Sequence, residues 1–381
     1  MLRTIGKRLS EEGHQVSVLS SQPSYKANVS LEKQASTEQL DGMTVHRVAL
    51  LPEANRHVLF RLLNMVYFPL SILWFVLFKG RFDVVMVSTA PPVVVGFAAA
   101  LAVKLRGGSF FYHCMDIHPE IGAISGEFRN PLVFRVLRAL DTFSCNVAKK
   151  VIVLSTDMKK SIDQRPGFKK DNITVLNNFS MPEHDVAMSV DPGLLKEKGK
   201  FRLLFAGNLG RFQGLEAFVD AMRLLSHVPD IELTFLGEGN ALSTLKQRAH
   251  DLDNVTFLPH QPVSVAREVM RDADLGVVSL NKDIYKYAFP SKTMTYLAEG
   301  CPLLVSVEKE SDLVSFVDEH EVGVCAEIGS PQSVAAAVES VFQNKARHDE
   351  MKKAAKTISE TLFAEDVVLA QWSSLVRKSV G

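Results

Sequence analysis

Six short apolar runs set the plan of the second half of this chain, at residues 201–206, 231–236, 255–258, 275–278, 302–307 and 323–326. The first five are rich in Leu, Ile, Val and Phe, the sixth is Gly-Val-Cys-Ala, and each is followed by a segment of helical length. Continuous apolar strands of this kind are buried on both faces and belong to parallel sheets. Their alternation with helices predicts an α/β, doubly wound fold. The first half repeats the pattern, with strands expected at 15–20, 43–48, 84–88, 109–113, 150–154 and 173–176, and residues 21–42 read as loop. Helices are expected at 2–12, closed by Gly13, at 93–105 and at 131–148. The first helix follows no strand, so the N-terminal domain is expected to lack its first strand. On that reading the natural product starts about twenty residues upstream, the size of a strand and its loop. The polar, Pro- and Gly-bearing stretch near 180–200 marks a boundary. It divides a domain at 1–182 from one at 200–362, with the linker at 183–199. The closing helix within 363–381, with Trp372 on its apolar side, is expected to pack back on the first domain.

At 381 residues the chain has room for two cores. Its 43 Lys and Arg balance 43 Asp and Glu, which excludes a general nucleic-acid binder and leaves room only for local patches. Four scattered cysteines with no CxxC pair argue against a disulfide framework or a zinc site. Reduced thiols and the lack of a secretory signal predict a cytoplasmic location. Residues 62–78 are uncharged and flanked by Arg56, Arg61, Lys79 and Arg81. Three readings compete: a core helix, a helix half-exposed to a bilayer surface, and a membrane span. The strand expected at 84–88 follows within a few residues and disfavours the span.

Chemistry is expected at the carboxyl ends of strands, where open α/β sheets bind ligands. The run FAGNLGRFQGLE at 205–216 carries Gly207, Gly210 and Gly214 between a strand and a helix, with Asn208, Arg211 and Gln213 among them. It matches neither the Walker pattern nor the dinucleotide fingerprint, and glycines there also serve as plain turn residues. Gly237-Glu238-Gly239 ends the next strand in the same way. In FPSKTMTYLAEGCPLL, Ser291 is the expected N-cap and Lys292 falls in the first helical turn. A helix N-terminus with a lysine attracts phosphate; the plainer alternative is a sheet-covering helix with a solvated lysine. In the first half, Asp116, His118 and Glu120 follow the strand expected at 109–113.

The succession AGNLGRFQGLEAF, LTFLGEGNALSTLKQ, NVTFLPH, ADLGVVSL and FPSKTMTYLAEGCPLL resembles the donor domain of the retaining family-4 glycosyltransferases. In the first half GHQVSVLSSQPSY, DIHPE and VLNNF extend the resemblance over nearly the whole chain. Within the family it is most similar to the WbuB-like L-fucosamine transferases of bacterial O-antigen and capsule assembly. The resemblance implies the GT-B fold, two Rossmann-like domains facing across a cleft. It implies transfer, with retention, of an amino or deoxy sugar such as N-acetyl-fucosamine. The donor is a nucleotide diphosphate sugar, expected to be UDP-linked, and the acceptor a polyprenyl-linked saccharide. No metal or other cofactor is required, and the enzyme would work on the inner face of the cell membrane in lipopolysaccharide or other surface-polysaccharide synthesis. The family's two donor-site glutamates fall on Tyr287 and Thr295, and its phosphate-binding Arg and Lys on Asn208 and Gln213. Arg211 and Lys292 are the cations left for the diphosphate, with Gly207, Gly214, Glu238 and Ser291 lining the same site. Asp116, His118 and Glu120 are the catalytic candidates. Two further classes stay open: a GT-B-like sugar-nucleotide epimerase, and an inactive homologue acting as a binding partner.

Overall fold

A computed structural model describes residues 1–22, 34–51, 58–128, 130–180, 190–210 and 213–380. The chain divides into two units, Met1–Asn177 with Leu369–Gly381, and Asn178–Val368.

The second unit is built on six strands: β8 (Phe201–Ala206), β9 (Ile231–Leu236), β10 (Val255–Leu258), β11 (Leu275–Ser279), β12 (Leu303–Ser306) and β13 (Gly323–Ala326). They form one sheet in the order β10-β9-β8-β11-β12-β13, and every pairing is parallel. The runs lack polar alternation because both faces are covered. Leu203 and Phe205 join one core with Phe218, Met222 and Phe235, while Leu204 and Ala206 join the other with Val278 and Leu297. Successive residues of a strand point to opposite faces, so β8 feeds both cores.

The first unit holds two sheets. β1 (Ser17–Ser21) runs parallel to β3 (Met43–Val48), which pairs antiparallel with β2 (Thr37–Leu40). The four strands β4 (Val84–Ser88), β5 (Ser109–Cys114), β6 (Lys150–Val153) and β7 (Ile173–Val175) form a parallel sheet in that order. Among the described residues no strand joins β1 to β4. Both are half-buried along most of their length, whereas β5 is buried from Phe110 to Cys114. The loop expected at 21–42 is corrected by β2. Asp41 (φ 51) and Gly42 (φ 76) make a two-residue hairpin turn, and both need the left-handed backbone that such turns demand.

The closing helix Glu365–Val380 contributes its later residues to the first unit. Trp372 is buried with its ring edge-on to His113, the centroids 5.0 Å apart. Ser373 Oγ donates to Glu12 Oε1 at 2.8 Å, and Lys149 Nζ donates to the Ser379 carbonyl at 3.1 Å. The apolar segment 62–78 lies in the helix Val58–Phe78, which accommodates Pro69. Ile72, Phe75 and Val76 bury one side of it. Among the described residues no helix is long and apolar enough to cross a membrane.

Candidate functional site

β8 is the first strand of the second unit's sheet, and later strands are added on both sides of it. Such a reversal of strand order leaves a crevice beyond the carboxyl ends of the two central strands. Here β8 and β11 pair only through Leu203 with Leu275 and Leu204 with Gly276. Past that point Tyr296 bridges the backbone. Its hydroxyl accepts from the Ala206 N–H at 2.8 Å and donates to the Leu204 carbonyl at 2.9 Å. Its ring covers Gly276, where a Cβ would stand 2.4 Å from the aromatic carbons. Tyr296→Phe leaves the buried Ala206 N–H unpaired and removes the hydroxyl's bond to the Leu204 carbonyl, and chemical denaturation should show a loss of about 1–3 kcal/mol.

Glycine turns cap the strands at this crevice. Gly207 follows β8 with φ 130, and Gly237 and Gly239 follow β9 with φ 140 and 156. The turns are laced together, Leu209 N–H to the Glu238 carbonyl at 2.8 Å and Ala241 N–H to the Leu209 carbonyl at 2.9 Å. No side chain fits at the second turn, since a Cβ on Gly237 would lie 2.1 Å from the Gly207 carbonyl oxygen. The Gly210 N–H donates to Gln213 Oε1 at 3.0 Å and to the Asn208 carbonyl at 3.0 Å. Gly214 (φ 55) presses against Asn281, its Cβ position 2.9 Å from Asn281 Oδ1. Arg211 lies outside the described residues.

Lys292 meets these turns from the other side of the crevice. Its Nζ lies 3.4 Å from the centre of the Phe205 ring and 4.0 Å from the Cβ position of Gly207. The nitrogen is buried with no hydrogen-bond partner. Burial pushes its pKa down to about 7. A buried ammonium is costly unless it is paired, so this group is poised to accept an anion. The helix it opens, Lys292–Ala298, is only seven residues long. Ser291 is exposed, has helical φ and ψ, and makes no side-chain capping bond. The expected serine-capped helix terminus is therefore corrected: positive charge at this point comes from Lys292 itself.

Of the other candidates in this unit, Glu238 has an exposed side chain and contributes its carbonyl to the lacing of the turns. Tyr287 closes the Ile284–Lys286 turn through its N–H, which donates to the Ile284 carbonyl at 2.9 Å. Thr295 is half-buried on the following helix. Three residues went unnoticed in the sequence. Phe205 and Tyr296 carry no local signal of a site role, although a glycine inside an apolar strand, Gly276, signals close approach by a neighbour. Glu308, just past β12, accepts from the Asp283 N–H, while its second oxygen is buried without a partner.

In the first unit the segment after β5 carries Asp116 and His118. The Asp116 N–H reaches Thr89 Oγ1 at 3.5 Å. Burial raises the pKa of the Asp116 carboxyl, against the pull of His118, and burial lowers that of His118. His118 Nδ1 is buried without a partner. Glu120 is placed differently. Arg165 donates to both its oxygens, at 2.7 and 3.1 Å, and also to Asp141 Oδ2 at 2.5 Å and the His118 carbonyl at 3.0 Å. Tyr112 donates to the other Asp141 oxygen at 2.5 Å. Arg165 and Asp141 are almost wholly buried, so Glu120 is part of an ion-pair scaffold beneath the Asp116–His118 segment and its carboxylate is already occupied.

Residues 1–180 match the family described as Glycosyltransferase Family 4, and residues 190–358 the family described as Glycosyl transferases group 1. The chain is 24% identical over 354 residues to the putative colanic acid biosynthesis glycosyl transferase WcaI of Escherichia coli (strain K12), covering 88% of this chain and 85% of that protein. It is 23% identical over 272 residues to the probable glycosyltransferase WbjE of Pseudomonas aeruginosa, covering 69% and 67%. Among solved structures, sucrose-phosphate synthase from Thermosynechococcus elongatus superposes with a TM-score of 0.72 at 15% identity, over 99% of this chain and 92% of that one. Anabaena HepE in complex with UDP does so with a TM-score of 0.65 at 14% identity, over 88% and 86%. Two parallel-sheet Rossmann-like units, the match of each half to a glycosyltransferase family and the structural likeness agree: the chain is a GT-B-fold protein made of a family 4 glycosyltransferase domain followed by a group 1 glycosyltransferase domain.

Proposed function

We propose that this glycosyltransferase moves a sugar, with retention of configuration, from a UDP-linked donor to a lipid-linked saccharide in surface-polysaccharide assembly. The observation that carries the reading is Lys292 Nζ, buried and unpartnered beside the Gly207 turn at the switch point of the second unit. A diphosphate there would pair with the ammonium and approach the glycine turn closely, as charge-assisted recognition of phosphate requires. Positive charge at that position stabilises the departing diphosphate, which is where the transition state develops charge. The same charge makes a resident metal unnecessary for this reading. Asp116 and His118 are assigned to the acceptor, and an amino or deoxy sugar such as N-acetyl-fucosamine is the donor sugar we favour. The names of WcaI and WbjE support a place in polysaccharide biosynthesis, and HepE with bound UDP supports the nucleotide.

The test is release of UDP from a panel of UDP-sugars, with and without a lipid extract containing polyprenyl-linked saccharides. Release that requires the lipid, with label entering it, is the expected result. Conversion of one sugar nucleotide into another without lipid would identify an epimerase instead. Nucleotide-sugar binding with no turnover under any condition would identify an inactive binding partner.

A further inference from the structure

We propose that the helix Val58–Phe78, with the basic corner that follows it, is a docking surface for an anionic lipid bilayer. Leu63, Val66, Tyr67, Leu70, Trp74 and Phe78 fall on one face, within about 120° at 3.6 residues per turn. All six are exposed, up to 69% at Phe78. The opposite face is the one buried through Ile72, Phe75 and Val76. A continuous stripe of large apolar side chains is unusual on a free surface and marks a docking site. The neighbouring helix Val94–Arg106 packs against this one and adds Leu105, itself 67% exposed.

Charge selects the occupant. From Lys79 to Arg106 the chain has four cations (Lys79, Arg81, Lys104, Arg106) and one anion (Asp83), in a protein of zero net charge. Lys79 Nζ lies 5.8 Å from the centre of the Trp74 ring, at the end of the stripe. Arg81 and Arg106 line one open cavity of about 360 Å³ together with Asp83, Ser109 and the backbone of Gly107 and Gly108. This face offers apolar bulk, two interface-type aromatics (Tyr67 and Trp74) and, at one end, cations. That is the composition of a helix lying in the plane of a membrane, with its cations against lipid phosphates. The proposal complements a lipid-linked acceptor, yet vesicle binding is measured without donor or acceptor, so its failure leaves the transferase reading standing.

The experiment uses the full chain with vesicles of phosphatidylcholine alone and of phosphatidylcholine with phosphatidylglycerol. Trp74 and the buried Trp372 are the two tryptophans, so quenching by lipids brominated on the acyl chains reports on Trp74. The expected result is co-sedimentation and quenching with the anionic vesicles, weakened by salt. Trp74→Phe should keep co-sedimentation and lose the quenching. Leu70→Glu with Phe78→Glu should lower partitioning at least tenfold, and Arg81→Glu with Arg106→Glu should remove the preference for the anionic lipid, with circular dichroism unchanged in both. Failure of the parent protein to bind anionic vesicles overturns the proposal. So does binding unaffected by either pair of substitutions, or a dimer that Leu70→Glu dissociates, which would show that a second copy covers the stripe.

Discussion

Lys292→Met is expected to weaken UDP binding roughly 10- to 150-fold, the effect of losing a hydrogen bond to a charged group worth about 1.5–3 kcal/mol. The fold should not suffer, because the buried nitrogen has no hydrogen-bond partner in the free protein and a methionine keeps apolar contact with the Phe205 ring. The pH dependence carries a definite sign. Burial holds the folded pKa near 7, well below that of an exposed lysine. As pH falls from the ordinary lysine range towards 7, the unfolded chain takes up a proton that the folded chain does not. Stability therefore declines across that window, and Lys292→Met should abolish this part of the decline. A bound diphosphate raises the pKa again, so donor binding above about pH 7 should be accompanied by proton uptake. Affinity should be greatest below about pH 7 and fall as pH rises through it. Calorimetry in buffers of different ionisation heat measures the uptake directly. Equal heats in all buffers, or unchanged affinity in Lys292→Met, would remove Lys292 from the donor site.

Arg165→Met should cost about 3–5 kcal/mol, the usual penalty for removing one partner of a buried ion pair. Asp141 would keep the Tyr112 hydroxyl and the weaker Cys145 thiol contact on its carboxylate, and Glu120 would lose both hydrogen bonds from the guanidinium. For a unit of this size that is a fall in melting temperature of about 6–20 °C. Arg165→Lys restores the charge but not the fork that reaches Glu120, Asp141 and the His118 carbonyl together, so recovery should be partial. Differential scanning calorimetry of the three proteins decides it; a loss under 1 kcal/mol in Arg165→Met would mean the network is not a scaffold.

The glycine turns were legible because their requirement is local. A strand that must turn at once into a tight connection needs positive φ, and Gly207, Gly237 and Gly239 supply it. Lys292 was legible as a cation near phosphate-binding geometry, but its most telling property was not. Whether its Nζ is solvated or buried over Phe205 depends on residues 87 positions apart in the chain (292 − 205 = 87). Glu120 shows the opposite outcome. As a carboxylate just after a strand it looked free for chemistry, and only the approach of Arg165, 45 residues later, shows that it is occupied.

The sequence by itself determined the α/β alternation, the division into two α/β halves, the glycine-bearing strand ends at which a site is expected and the family resemblance. These follow from periodicity, backbone preference and order along the chain, which act over a few residues. Tertiary structure alone decided which polar groups are satisfied and which are left over. It tied Glu120 to Arg165, placed Tyr296 across the parting strands, and turned one face of the helix Val58–Phe78 outward while burying the other. The physical reason is that desolvation and pairing energies depend on distances between residues remote in sequence, and no local pattern encodes those distances.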